Sequence, residues 1–319
     1  MSKEKKTTKE AEGEKTPEEL QAEKLEKTRE AGKITQDVFP KAEKLVKVGA
    51  KVIDICENIE QMIKEKGGDF GFPCNVSINS IAAHYSSPPN DETIIKENDV
   101  VKVDFGVHKD GYISDFAFTV CFNPELNSLV EAAEEALRAV IENVKPGAKT
   151  HELGALAEQA IKKYGFRPVI DLSGHLLEQW ELHGKKVIPE ISLPTGEEIK
   201  EGEIYAMETF ATTGSGRVHD LPYCYIYNLL PTRIYPRSKP ARKIIRIIRD
   251  KYKTLPFAKR WLPKEVGMGY LIGLRELVRS KILHEYKPLA DIKGSYIAQR
   301  EYTFIVTSDG CEIINGKFP

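Results

Sequence analysis

Val100-Val101-Lys102-Val103-Asp104-Phe105-Gly106-Val107, then His108-Lys109-Asp110-Gly111, then Tyr112-Ile113-Ser114-Asp115-Phe116-Ala117-Phe118-Thr119-Val120 is the stretch from which the fold is read. Two runs rich in β-branched and aromatic residues flank an Asp-Gly pair, which predicts a β-hairpin. With Val107 paired to Tyr112 around a four-residue loop, Asp104 falls directly opposite Asp115. Carboxylates that face each other across strands repel, and burial among apolar neighbours raises the cost. A cation between them removes the conflict, so the hairpin predicts a metal site.

The surrounding chain is organised as a duplication. Lys47-Val48-Gly49-Ala50-Lys51 recurs 98 residues later as Lys145-Pro146-Gly147-Ala148-Lys149, and the matches continue without gaps through Glu60-Gln61 with Glu158-Gln159 and Ile63-Lys64 with Ile161-Lys162. Each copy reads as turn residues, an amphipathic helix and then strands. This predicts an α/β fold in which helices cover a sheet built from two related halves. Residues 1–16 are too polar to join a core and read as a disordered tail. Thr16-Pro17-Glu18-Glu19 carries the N-cap, the first-turn proline and the capping-box glutamate of a helix start, and Pro40 should kink or break that helix. Strand pattern gives way between Pro222 and Ala290, where helical periods at Ala241–Lys253 and Tyr270–Leu283 predict a helical, winged-helix-like insertion. The expected organisation is a main domain formed by 17–221 and 291–319 around an insertion at 222–290.

Composition narrows the function. No segment approaches a membrane span, and the charged N-terminus lacks the apolar core of a signal peptide. Five cysteines without CxxC spacing read as reduced, buried thiols of a cytoplasmic protein. The net charge of −1 hides an asymmetry: Arg233 to Lys287 holds 16 Lys/Arg against four acids, or +12, and the remainder carries −13. A basic block of that size on an acidic body concerns partners, and a salt-sensitive, sequence-independent attraction to the phosphates of an RNA such as ribosomal RNA is the kind it suits. No Gly-x-Ser-x-Gly elbow, HExxH helix or P-loop is present.

Over residues 20–319 the chain resembles the type 2 methionine aminopeptidases. The segments that carry the likeness are Phe72-Pro73, Ser77-Ile78-Asn79, Ala82-Ala83-His84-Tyr85, Asp104-Phe105-Gly106-Val107-His108, Gly174-His175, Gly202 through Phe210, Arg260-Trp261-Leu262 and Ala298-Gln299-Arg300-Glu301. The resemblance implies the pita-bread fold with a helical insertion before the last metal ligand. It also implies a ligand set of Asp104, Asp115, His175, Glu208 and Glu301. Four carboxylates balance two divalent ions, whether Co, Mn, Fe or Zn. Such a pair activates a bridging water as hydroxide. By position, the likeness implies that Asp104 chelates one ion, that Asp115 and Glu301 bridge both, and that His175 and Glu208 complete the ligands of the second ion. Glu208 also shuttles the proton. His84 contacts the scissile peptide and His183 stabilises the oxyanion. Phe72, Leu182, Ile226 and Tyr286 form the methionine slot.

The implied activity is removal of N-terminal methionine from nascent polypeptides by a cytoplasmic, monomeric enzyme. Two departures from the family stand out: Tyr302 follows Glu301 where histidine is usual, and Gly184-Lys185 follows His183 where Ala-Gly is usual. Two alternatives remain open at this point. Prolidase and aminopeptidase P share the ligand set, although they usually carry a longer N-terminal domain. Non-catalytic relatives bind RNA or ribosomes, and they typically lose several ligands.

Overall fold

The computed structural model describes residues 15–318, so all of the expected tail except Lys15 and Thr16 lies outside the described residues. In chain order the elements are helices α1 (Pro17–Leu45) and α2 (Val52–Glu65), then strands β1 (Asp69–Ile78), β2 (Ile81–Ala83), β3 (Val100–Lys109) and β4 (Tyr112–Cys121). Helices α3 (Asn127–Ile141) and α4 (Thr150–Lys163) follow, then β5 (Arg167–Pro168), β6 (Ser173–Leu176), β7 (Val187–Pro189), β8 (Ile204–Thr212), β9 (His219–Asp220) and β10 (Ile226–Leu229). The chain continues through α5 (Lys239–Ile247), β11 (Phe257–Ala258), α6 (Leu262–Val266), α7 (Tyr270–Arg279), β12 (Leu283–Tyr286), β13 (Leu289–Ala290), β14 (Ile297–Val306) and β15 (Cys311–Ile313).

Helix α1 begins as its sequence dictates. Thr16 accepts the Glu19 N–H and Glu19 reaches back to the Thr16 N–H, closing the capping box. Pro40 does not break the helix, which runs on to Leu45. It lies on the exposed face, where water can satisfy the carbonyl one turn back that loses its N–H partner.

The duplication is present in detail. Helices α2 and α4 begin and end 98 residues apart, and each follows a glycine in the left-handed region, Gly49 (φ 85°) and Gly147 (φ 90°). The Gly49 N–H donates to Ile95 O and the Gly147 N–H to Ile199 O, so each turn is pinned to the loop that feeds the next long strand.

The hairpin differs from the expected register. Asp110 and Gly111 both have positive φ (52° and 89°), which makes a two-residue loop with Lys109 paired to Tyr112. His108 Nδ1 accepts the Gly111 N–H at 3.1 Å and helps close the turn. Asp104 therefore pairs with Ala117, and Asp115 pairs with Gly106. A slip of two residues keeps both aspartates on one face, so they sit diagonally instead of directly opposite.

The main sheet runs β1-β3-β4-β14-β8-β6-β7 with antiparallel neighbours throughout. One face carries Val101, Val103, Phe105, Val107, Phe116, Phe118, Tyr205 and Phe304 into a core shared with α1 to α4. The opposite face carries the acids. Tyr302 points into the helical core, donating to Lys317 O at 2.9 Å, so this departure from the family acts on the far side of the sheet from Glu301. Gly184 packs against Leu176, where a Cβ would come within 2.7 Å of the carbonyl oxygen.

The segment from Pro222 to Ala290 is not purely helical. It combines α5, α6 and α7 with the three-stranded sheet β11-β10-β12 around its own apolar cluster, which includes Tyr227, Ile244, Phe257, Leu274 and Leu277. Arg260 joins this segment to the first half: its buried guanidinium pairs with Glu60 of α2 and donates to the Ser86 hydroxyl. Glu60 also accepts the Trp261 indole N–H at 2.9 Å and the Cys74 N–H at 3.2 Å. Removing either charge would strand the other in the interior, at a cost of about 3–5 kcal/mol. All five cysteines are free; Cys56, Cys74 and Cys224 are buried, while Cys121 and Cys311 are partly exposed. Among the described residues no helix is long and apolar enough to cross a membrane.

Candidate metal centre and peptide cleft

Strand pairing lines up one row across five strands: Asn75 on β1, Asp104 on β3, Ala117 on β4, Glu301 on β14 and Glu208 on β8. Asp115 lies two residues before Ala117, and His175 pairs with Ala206, two residues before Glu208. The period of two in a strand puts all of these side chains on one face. Ala117 at the centre keeps the row open, because a larger side chain would fill the space between the carboxylates.

The β4–β14 seam, where the halves meet, has Glu301 and Ala117 as its only ladder pair. Side-chain hydroxyls replace the missing ladder bonds on either side. The Asp115 N–H donates to Thr303 Oγ1 at 2.8 Å, and that hydroxyl donates to Asp115 O at 2.9 Å. Thr119 Oγ1 does the same for Gln299, accepting its N–H at 2.9 Å and donating to its carbonyl at 2.8 Å. Both acidic strands are thus held in register at the place where their carboxylates converge.

Electrostatics mark this cluster as built around positive charge. Burial, tempered by hydrogen bonds from Asn75 and Gln299, pushes Asp104 up to about 7. Burial and then the neighbouring carboxylates push Asp115, Glu208 and Glu301 well above the usual range. Burial holds His175 down at about 4, so its imidazole is neutral and fit to ligate. Asp104 Oδ1, Asp115 Oδ1 and His175 Nδ1 are buried without hydrogen-bond partners. Ligand atoms of Asp115, His175 and Glu301 lie within 4.8 Å of one another. His175 Nε2 faces Asp115 Oδ2 at 3.8 Å, and a divalent cation fits this donor set: it neutralises the acids and gives the orphaned carboxylate oxygens a partner.

The same cavity is walled by Phe72, Leu182, Ile226 and Tyr286 and reached by His84 and His183. Gly106 lacks a side chain where the Phe72 ring lies, and a Cβ there would strike the ring. His84 sits in the left-handed region (φ 65°), an unfavourable backbone state of the kind found at functional sites. Its Nδ1 lies 3.2 Å from Lys287 O. A carbonyl only accepts, so Nδ1 carries the proton and Nε2 is left as an acceptor toward the cavity. Burial lowers His84 to about 4, which keeps the ring neutral. The His183 ring packs 4.6 Å from that of His175.

All eleven residues expected from the sequence line this one cavity. Three of its polar neighbours were not anticipated. Gln299 Nε2 donates to Glu208 Oε2 at 3.2 Å and to Glu301 Oε2 at 3.3 Å. Asn75 Nδ2 donates to Asp104 Oδ2 at 3.4 Å. Glu190, fully buried, accepts the Phe210 N–H at 3.2 Å and contributes to raising Glu208. Gln299 was detectable, since it stands two residues before Glu301 and must share its face. Glu190 carries no local signal.

The metallopeptidase family M24 model matches residues 26–248. A methionine aminopeptidase of Pyrococcus horikoshii is 42% identical over 296 residues, 91% of this chain and 98% of the relative. The chain belongs to metallopeptidase family M24, among its methionine aminopeptidases. Solved structures of similar fold include a thermophilic Arx1 (TM-score 0.81, 23% identity, 93% of this chain and 92% of that one). Another is the methionine aminopeptidase of Thermotoga maritima (TM-score 0.68, 21% identity, 95% and 98%). Members of M24 are metallopeptidases of the pita-bread fold, and the duplicated sheet described above, with its acids at the seam, is that architecture.

Proposed function

We propose that this enzyme removes N-terminal methionine from polypeptides whose second residue is Gly, Ala, Ser, Cys, Thr, Val or Pro, using two divalent ions held by Asp104, Asp115, His175, Glu208 and Glu301. The observation that carries the reading is the row of carboxylates at the floor of a cavity with apolar walls, in a chain whose family is established. When bound, divalent ions polarise the scissile carbonyl and supply hydroxide near neutral pH.

The chain's own groups do the rest. Phe72, Leu182, Ile226 and Tyr286 take the methionine side chain out of water. His84 Nε2 accepts the N–H of the scissile peptide, fixing its orientation. His183 donates to the carbonyl oxygen as negative charge develops there. Gln299 ties down Glu208 Oε2, which leaves Oε1 to take a proton from water and pass it to the leaving amine. Incubation with Met-Ala-Ser should release methionine, and cleavage of Xaa-Pro peptides with Met-Ala-Ser left intact would replace the reading with a proline-directed one.

All of these residues lie in one chain, so no second copy is needed to complete the site, and the proposal extends to a monomeric enzyme that works in the cytoplasm, where nascent N-termini emerge. Docking to ribosomal RNA is supported by the outer face of α5. Ala241, Ile244 and Ile245 are buried, whereas Arg242, Lys243 and Arg246 of α5, with Arg249 and Asp250 just beyond its end, border a groove with the exposed Tyr235. Among the described residues none of these four cations is in an ion pair. Co-sedimentation with ribosomes should weaken steeply with salt and when all four become glutamate. Binding indifferent to both changes would remove the RNA reading.

A further inference from the structure

The cavity does not end at the site just described. A groove leaves it, sharing Leu182, His183, Pro256 and Tyr286 and continuing along Asn228 to Pro231. Its opposite wall is the loop around Gln179 and Trp180, tied to the insertion by the Thr254 hydroxyl, which donates to Trp180 O.

The edge of β10 that borders this groove is open. β10 pairs with β12 over Ile226 to Leu229, but with β11 only at Ile226 and Tyr227. Pro256, immediately before β11, has no N–H and cannot extend that ladder. Backbone direction alternates along a strand. Leu230 donates to Ile282 on the β12 side, while Tyr225 O accepts the Lys259 N–H on the β11 side. Leu229 has the parity of Tyr225, so its N–H and C=O face the β11 side, where the ladder has stopped. A second observation points the same way: Asn228 Oδ1 is buried without a hydrogen-bond partner in the groove lining.

We infer that the substrate chain beyond its second residue adds to this open edge as an extended strand, pairing with Leu229 and offering an N–H to Asn228 Oδ1. A main-chain ladder of this kind reads no side-chain sequence. That is what an enzyme acting on many different polypeptides requires once the first two residues have been accepted. The inference rests on the methionine-removal reading, and its test separates the two.

The measurement is kcat/KM of the metal-loaded enzyme for Met-Ala-Ser and for a hexapeptide that begins with the same three residues. A third peptide replaces the amides after residue 3 with esters, which deletes the N–H donors. The hexapeptide should be favoured by about tenfold, the effect of one or two net hydrogen bonds, and the ester analogue should lose the gain. Asn228→Leu should lower the hexapeptide-to-tripeptide ratio. A direct readout is amide exchange at Leu229, which should slow when a hexapeptide with a reduced first peptide bond binds and stay unchanged with the matching dipeptide. Equal rates for tripeptide and hexapeptide together with unaltered exchange at Leu229 would overturn the groove assignment and leave methionine removal standing. Hydrolysis of neither peptide would overturn both.

Discussion

Glu301→Ala should abolish peptidase activity, by about a thousandfold or more given the several kcal/mol that metal-assisted charge stabilisation supplies. It should also lower the divalent metal content below two ions per chain. Glu301 sits in the row between Ala117 and Glu208, paired with Glu208 on β8 and facing Ala117 across the seam. Its loss removes a donor that neither neighbour can replace. Asp104→Ala should behave in the same way. His84→Ala and His183→Ala should instead lower turnover by about a hundredfold, the scale of one positioned hydrogen bond to developing charge, with metal content unchanged. Metal analysis of the four purified variants beside their kcat values tests the whole assignment, and metal loss in either histidine variant would show that histidine to be a ligand.

Removing the metal should invert the pH dependence of stability at this site. In the metal-free protein, burial holds Asp104 at about 7, and Asp115, Glu208 and Glu301 are raised in the same direction. Unfolded carboxyls titrate near pH 4. Between those values the folded state binds more protons than the unfolded state, so ΔG of unfolding falls as pH rises. The contribution is fully present below about pH 4 and is lost as pH climbs through about 7. Divalent ions compete with those protons, so the loaded protein should gain stability over the same range. Urea midpoints at pH 5 and pH 8, with chelator and with Mn or Co, give the comparison. A chelated protein that gains as much stability toward pH 8 as the loaded one would contradict a site built from raised carboxylates.

Several features were legible because they depend on neighbours along the chain. The capping box at Thr16, the hairpin around Asp110-Gly111 and the turn-helix repeat each lie within a few residues of their own sequence. The side-chain period then assigned Asp104 and Asp115 to one face even though the register was off by two. Asp-Gly favours a two-residue loop whose torsions follow the twist of the strands, which accounts for the shift. The helix continues past Pro40 for a reason of another kind. Whether a proline breaks a helix depends on whether water or protein faces the carbonyl it deprives, which the local pattern does not record.

Chain-local physics determined which residues form strands, which acids are drawn into the interior, and that the molecule is a duplication. Only the tertiary structure decided which residues from the two halves meet. The row from Asn75 to Glu208 exists because β4 and β14, about 180 residues apart in the chain, adjoin at a seam fastened by Thr119 and Thr303. Gln299 gained its role by reaching Glu208 on the adjacent strand, and Arg260 gained a partner by reaching Glu60, 200 residues earlier. The open edge beside Leu229 is likewise a property of where β11 stops against β10. Pairing between distant segments is settled by the fit of whole faces against one another, and nothing in the sequence near either partner names the other.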